Sequence, residues 1–291
     1  MSARPRSPST DPDEQAVATE PAGRARTGTR RRRRAVLVRS AQLLLAVVLL
    51  AVWEAGASTG LIDPFFFSQP SAIAQQVIDW IVEGSIFQHL RVTLAEALLA
   101  LVIGTVAGLG FGFLLARVEL LAEILDPYIK VLNSLPRVVL APIFLLWFGL
   151  GIWSKVAFGV TLVFFIVFFN TYQGVREVNR VLVDNARMLG AKENQLLRHV
   201  FLPSALSWIF SSLHVSVGFA IVGAVVGEYL GSSAGVGFLI AQAEGVFDTT
   251  AVFAGMVVLS IVVLVIDAAV HRAERYLLRW RPTGAVDTGA N

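Results

Sequence analysis

Five ionisable side chains, Glu96, Arg137, His214, Glu228 and Asp267, stand inside or at the edges of long apolar runs. In hydrocarbon a charge costs about 2.5 to 3.5 kcal/mol at the centre of a helix, so such residues mark ion pairs, ligand contacts or ion paths. Arg137, directly after Pro136, would attract an anion if it faced a pathway. A carboxylate, or a carbonyl freed by the proline, would make it structural. Arg137, His214 and Glu228 are the candidates for a substrate pathway. Glu228 and Asp267, near the ends of their runs, also suit helix–helix salt bridges, and His214 also suits a packed polar position. The five do not make the chain of carboxylates that a proton-coupled carrier needs. The four histidines, His89, His199, His214 and His271, are too scattered in sequence to indicate a metal site, and the chain has no cysteine. It has no Gly-x-x-x-x-Gly-Lys-Ser/Thr run to cradle phosphates, so any ATP-driven work must come from another polypeptide. A His-Glu-x-x-His helix is also absent, and an intramembrane enzyme is disfavoured.

A polar stretch, Asp184 to Pro203, DNARMLGAKENQLLRHVFLP, lies between two strongly apolar segments. Val178, Val181, Leu182, Asn185 and Leu189 share one helical face, and Glu177, Arg180, Asp184 and Arg187 the opposite one. Gly190 stands where that helix should stop, since glycine tolerates the left-handed conformation of a helix C-terminus. A second short helix over Lys192 to Phe201 should follow and end at Pro203. The expected product is a helix-turn-helix on the membrane surface, shaped to dock into a partner's groove.

These elements must be positioned by a membrane bundle. The chain has 291 residues, 55% of them hydrophobic and 15% charged, with a mean hydropathy of +0.68, far from a soluble domain. Six apolar runs of spanning length are expected at 35–53, 92–116, 127–150, 154–172, 205–230 and 251–270, within a membrane domain over 35–272. Gly104, Gly108 and Gly112 repeat every four residues in the second, a face for close helix packing. Pro136 and Pro142 should kink or break the third. Residues 117–126 read as a short polar connection. Residues 1–34 read as a disordered basic tail and 273–291 as a second tail. In residues 54–91, Ile73, Gln76, Val77, Trp80 and Ile81 make a helix face suited to the outer membrane surface. Ala55-Gly56-Ala57 resembles a signal-peptide cleavage site, but the long apolar run and its distance from the start favour a span.

Basic residues set the orientation. Nine arginines precede Ala35, five of them consecutive at Arg30 to Arg34. Beside a span this cluster reads as a topology anchor on anionic lipid rather than a nucleic-acid contact. Arg117, Arg176, Arg180, Arg187, Lys192, Arg198 and the arginines of the tail fall on the same side. Arg91 and Lys155 are nearly all that the outer connections receive. The fold class is therefore all-α integral membrane, about six transmembrane helices with both termini and the helix-turn-helix cytoplasmic.

The spacing within Asp184–Pro203 resembles the EAA loop of bacterial ABC importer permeases: Glu-Ala-Ala, three residues, Gly, nine residues, Ile, one residue, Leu-Pro. Asp184, Asn185 and Ala186 stand at its first three positions, Gly190 at the Gly, Val200 at the Ile and Leu202-Pro203 at its close; Asn185 is the departure. Pro70-Ser71, His89-Leu90, Thr93-Leu94, Trp147 to Gly151 and Gly235-Val236-Gly237 are similar to the nitrate, sulfonate and taurine group of these permeases. The resemblance implies that Asp184, Asn185, Ala186, Gly190, Ala191, Leu202 and Pro203 couple this subunit to a cytoplasmic ABC ATPase, which holds the ATP and Mg while this chain holds no cofactor or metal. It also implies a second permease copy, an extracytoplasmic solute-binding protein docking on 54–91 and 231–250, and a multi-pass place in a bacterial plasma membrane. The expected cargo is a small organic anion such as an aliphatic sulfonate, taurine or nitrate. A neutral vitamin or pyrimidine precursor is the alternative cargo. A self-sufficient channel or secondary carrier is the alternative of another class, though no clear internal repeat or midplane ion site supports it.

Overall fold

A computed structural model describes the backbone of residues 23–178 and 180–277, with side chains except at 23–33, 35, 180, 202–207 and 277. Among the described residues every regular element is helical. The helices are α1 (Gly23–Ser58), α2 (Pro64–Phe67), α3 (Pro70–Glu83), α4 (Ser85–Arg117), α5 (Glu119–Ser134), α6 (Leu140–Phe148), α7 (Ile152–Arg176), α8 (Arg180–Met188), α9 (Glu193–Leu196), α10 (Leu202–Leu230), α11 (Val236–Gly245) and α12 (Thr249–Leu277). A 3₁₀ turn, Arg137–Val139, precedes α6, and a π turn, Leu197–Phe201, precedes α10. Among the described residues five helices are long and apolar enough to cross a membrane, and there are six spans if α5 and α6 count as one broken span.

The described residues up to Gly56 and those from Ala57 onward form separate compact units. In the first, α1 runs without interruption from Gly23, so the part of the basic tail from Gly23 to Arg34, expected to be disordered, is helical. Alanine and arginine are both good helix formers. Residues 1–22 and 278–291 lie outside the described residues.

The second unit is built on α4, α7 and α10. Ala97, Val163, Val167, Ala220, Ile221 and Ala224 bury the centre of that trio. The glycine repeat of α4 has the close-packing role expected of it. A Cβ on Gly104, Gly108 or Gly112 would lie 2.7, 2.8 or 2.7 Å from the Cβ of Val163, Val167 or Thr171. Backbones can approach this closely only where one helix lacks side chains, and in lipid that contact replaces hydrophobic exclusion as the source of association.

The third span is broken at Leu135–Pro136 by a bend of 77°. Pro136 disfavours helical geometry at the residue before it, and Leu135 is extended at ψ 132°. Pro142 causes no second break because it falls in the first turn of α6, where no helical N–H is lost. Residues 117–126, expected as a connection, are helical beyond Val118. Leu120 and Ile124 supply helical spacing there, and the i, i+4 pair Asp126–Lys130 adds a 2.5 Å contact.

On the opposite end of the unit from α8, the predicted face of α3 turns inward. Ile73 is buried, and Val77 and Trp80 pack against Ile86, Val236, Ile240 and Val258. That face is thus protein-covered rather than free to lie on lipid, while Ile81 stays half exposed. The hydroxyls of Ser68 and Thr250 bond at 2.8 Å, and the Thr249 hydroxyl donates to the Phe65 carbonyl at 2.5 Å. These contacts join α2 and the residue after it to the start of α12.

Candidate functional site

The helix-turn-helix forms between α7 and α10. Helix α8 ends in two reversed hydrogen bonds: Ala191 N–H donates to the Ala186 carbonyl at 3.0 Å and Gly190 N–H to the Arg187 carbonyl at 2.9 Å. With Gly190 at φ +84°, this is a Schellman C-cap, and it satisfies carbonyls that the helix end would leave bare. Ala186 and Ala191 meet across it and pack with Val200 and Phe201 on a small core of Val178, Val183 and Leu196. Helix α9 is capped by Lys192, whose N–H donates to Gln195 Oε1 at 2.8 Å. The second helix differs from expectation in being one α turn followed by a π turn that runs directly into α10. Pro203 lies in the first turn of α10, so it starts that helix and does not end the preceding one.

Of the apolar face that the spacing gives this segment, Val178 is buried and the part on and beyond α8 is not. Val181, Leu182 and Leu189 are exposed, Leu189 at 89%, and Met188 joins them at 79%. Asp184 and Asn185 are also exposed, and Ala186 is half buried. A groove of about 310 Å³ beside them is lined by Ala186, Leu189, Gly190, Ala191, Gln195, Leu196, His199 and Val200. The site therefore presents apolar side chains and a groove where an isolated protein would place polar ones.

Arginines hold this loop against the bundle. Glu193 pairs with Arg117 at the end of α4 and with Arg187 at 3.1 Å, and the Arg117 guanidinium lies 5.0 Å from the centre of the Phe201 ring. The hydrogen bond from Arg187, with the Arg117 charge adding to it, holds the Glu193 carboxyl below its ordinary value. A lowered value means that the clasp is complete above the ordinary glutamate range and is lost only as pH falls through the lowered value. It is intact at neutral pH. Glu193→Gln is expected to speed limited tryptic cleavage at Lys192 and Arg198 in membrane vesicles at neutral pH; an unchanged rate would show that the clasp does not restrain the loop.

At the other end of the bundle lies a cluster that the sequence showed only as scattered charges. Glu96 on α4, Lys155 on α7 and Glu228 on α10 are 2%, 1% and 1% exposed. Glu228 Oε2 accepts from Gly237 N–H at 2.7 Å, and Thr93 Oγ1 from Val236 N–H at 2.9 Å. His89 Nδ1 accepts from Gly235 N–H at 3.1 Å, so α4 and α10 together cap the start of α11. The Lys155 ammonium donates to the Leu150 and Gly151 carbonyls before α7 and feels both glutamate charges. Lys155, expected in an outer connection, is thus inside the bundle. The apolar run from Ile152 already includes it, which is the signal that was available. Glu228 is enclosed here by the bundle.

Arg137 sits in the 3₁₀ turn at the break of the third span. It donates to Asn133 Oδ1, with its guanidinium 4.7 Å from the centre of the Phe165 ring. Among the described residues no carboxylate pairs with it. His214 lies between α10 and α12, with Nδ1 2.8 Å from Asp267 Oδ1 and Nε2 3.0 Å from Glu274 Oε2. His214 and His271, far apart in sequence, approach to 5.6 Å between ring centres, so these two histidines are not scattered in the fold. Gly231 to Gly235 reads GSSAG, the Gly-x-Ser-x-Gly spacing of a hydrolase nucleophile elbow. That elbow needs a strand before the serine, and here a helix, α10, precedes it.

The fold agrees with comparisons to known proteins. The sequence family described as "Binding-protein-dependent transport system inner membrane component" matches residues 100–280. A putative aliphatic sulfonates transport permease protein of Bacillus subtilis is 35% identical over 239 residues, which are 82% of this chain and 87% of that protein. The formylaminopyrimidine transport permease protein of Halalkalibacterium halodurans is 35% identical over 238 residues, 82% and 94% of the two chains. The taurine transport system permease protein of Escherichia coli is 29% identical over 238 residues, 80% and 86% of the two chains. An inward-facing structure of the MetNI methionine ABC transporter shares the fold with a TM-score of 0.59 at 21% identity, covering 67% of this chain and 98% of that one. The match to the family over residues 100–280 and the identity to these relatives place the chain in the family of binding-protein-dependent inner-membrane permeases of bacterial ABC importers.

Proposed function

We propose that the α8–α9 loop of this permease is the seat of its ATPase, and that two copies of the chain enclose the path of a small organic anion. The exposed apolar face of Val181, Leu182, Met188 and Leu189 carries the first part of this reading. Asp184, Asn185 and Ala186 flank that face, Gly190 and Ala191 form the turn beside the groove, and Leu202-Pro203 begin the helix that carries its motion into the bundle. The ATPase holds ATP and Mg, and its closure displaces the loop as a rigid body between two discrete states. A solute-binding protein docks on the far end, where Leu61, Phe66, Val246 and Phe247 are exposed together with the loops that carry them.

Arg137 favours an anionic cargo. It is a cation at a helix break in a span, paired with an amide and a ring and with no carboxylate among the described residues. An aliphatic sulfonate or taurine fits this charge, and relatives of the chain are named for both. Formylaminopyrimidine, after another relative, represents the neutral alternative. The test is ATP-dependent uptake by the complex reconstituted with its ATPase and binding protein, offering a sulfonate, taurine and a neutral pyrimidine precursor in turn. Arg137→Gln is expected to lower uptake of the anion by about tenfold, the factor given by about 1.4 kcal/mol of lost charge interaction, and to leave neutral uptake nearly unchanged. Equal effects on both would make Arg137 structural, and uptake of the neutral compound alone would remove the anion assignment.

A further inference from the structure

We propose that His214, His271 and Glu274 form a binding site for a divalent transition-metal ion, with Zn²⁺ the best match, that ties α10 to the last turns of α12. One ligand atom from each of the three lies within 4.8 Å of the other two. His214 Nε2 is 3.0 Å and His271 Nδ1 3.4 Å from the same Glu274 oxygen, Oε2. In a tetrahedral zinc site with bonds near 2.0–2.1 Å, neighbouring ligand atoms stand roughly 3.3 Å apart, so these separations need little adjustment. Two imidazoles and one carboxylate are a recurrent zinc ligand set that leaves the fourth position to water. His271 is 55% exposed along its side chain, which keeps that position reachable.

The surroundings of His214 supply a second, independent observation. Its other ring nitrogen, Nδ1, is 2.8 Å from Asp267 Oδ1. A carboxylate bonded to the far nitrogen of a metal-ligating histidine fixes the ring and the tautomer that presents a lone pair to the metal, and this outer contact is usual at zinc sites. His271 and Glu274 are one helical turn apart on α12, so the ligands meet without strain from the backbone. A helix pair bridged in this way moves as one body, which places the ion where it would influence the conformational cycle of the subunit.

The test uses the full chain in detergent, purified through an affinity tag without histidine and stripped with a chelator. Zn²⁺ is then titrated in competition with a chromophoric chelator. One equivalent per chain is expected, and Co²⁺ in its place should give the intense visible bands of a four-coordinate ion. His214→Gln and His271→Gln should each weaken binding at least tenfold. Asp267→Asn should weaken it about 10- to 100-fold and keep the four-coordinate Co²⁺ spectrum, as expected of an outer partner. No saturable Zn²⁺ binding by the unsubstituted chain, or a six-coordinate Co²⁺ spectrum, would overturn the site and leave His214 as the centre of an ion-paired cluster. Binding that survives both histidine substitutions would overturn it equally. The stoichiometry and spectrum of the unsubstituted chain decide the matter even if a variant fails to fold.

Discussion

Lys155→Met alone is expected to destabilise the folded chain by about 3–5 kcal/mol, because it leaves two buried carboxyl groups without their cation. The prediction rests on how fully Glu96, Lys155 and Glu228 are enclosed: each exposes 2% or less of its surface. Glu228 also accepts from Gly237 N–H, but Glu96 Oε2 and Glu228 Oε1 have no hydrogen-bond partner among the described residues, and the Lys155 ammonium is the cation that both glutamates face. The same substitution strips the Leu150 and Gly151 carbonyls of their donor just before α7. The triple variant Glu96→Gln, Lys155→Met, Glu228→Gln removes all three ionisable groups together and should recover most of the loss, since replacing a whole buried ionisable cluster is often neutral. Thermal unfolding in detergent, followed by size-exclusion chromatography, reads both. A single variant as stable as the parent would mean that the three charges do not hold α4, α7 and α10 together.

Gly190→Val should abolish coupled uptake while ATP hydrolysis continues and the chain remains in the membrane. Gly190 has φ +84°, and its missing Cβ would meet nothing within 4 Å, so the penalty is one of backbone conformation and not of packing. A branched residue in that region costs about 1–2 kcal/mol or more. The chain can avoid the cost by unwinding the paired hydrogen bonds that turn α8 into α9. That would rotate the exposed face of Leu182, Met188 and Leu189 away from its partner without disturbing the bundle. Gly190→Asn provides the control, because asparagine tolerates the left-handed region, and it should retain most of the uptake. Normal uptake by Gly190→Val, or equal loss in both variants, would separate the turn from coupling.

The legibility of the chain followed the range of the interactions involved. Apolar length placed the spans, and a four-residue glycine period was enough to anticipate a closely packed face on α4, because both are local features of a helix. Gly190 was readable for the same reason: one residue type at the end of one amphipathic segment. The partner of that glycine face, α7, was not readable, and neither was the enclosure of Lys155, since both depend on which helices meet. The amphipathic pattern around α8 located a helix and its two faces but not which side the chain's own core takes. Periodicity cannot distinguish a face that packs on the chain's own core from one kept for another polypeptide. Val178 and Val183 turn inward, while Leu182 and Leu189 stay outside. His214 and His271 came together only through the antiparallel meeting of α10 and α12, which no spacing in the sequence records.

Purification of the tagged full chain from its own membrane, with identification of what accompanies it, tests the proposed coupling role of this loop most directly. A soluble ABC ATPase should co-purify in a fixed ratio, and replacing Asp184 to Gly190 with a glycine–serine segment of equal length should release it while the membrane chain is still recovered as an intact oligomer. Recovery of a pure oligomer without an ATPase, or retention of the ATPase after the replacement, would contradict the assignment of this loop as the coupling site.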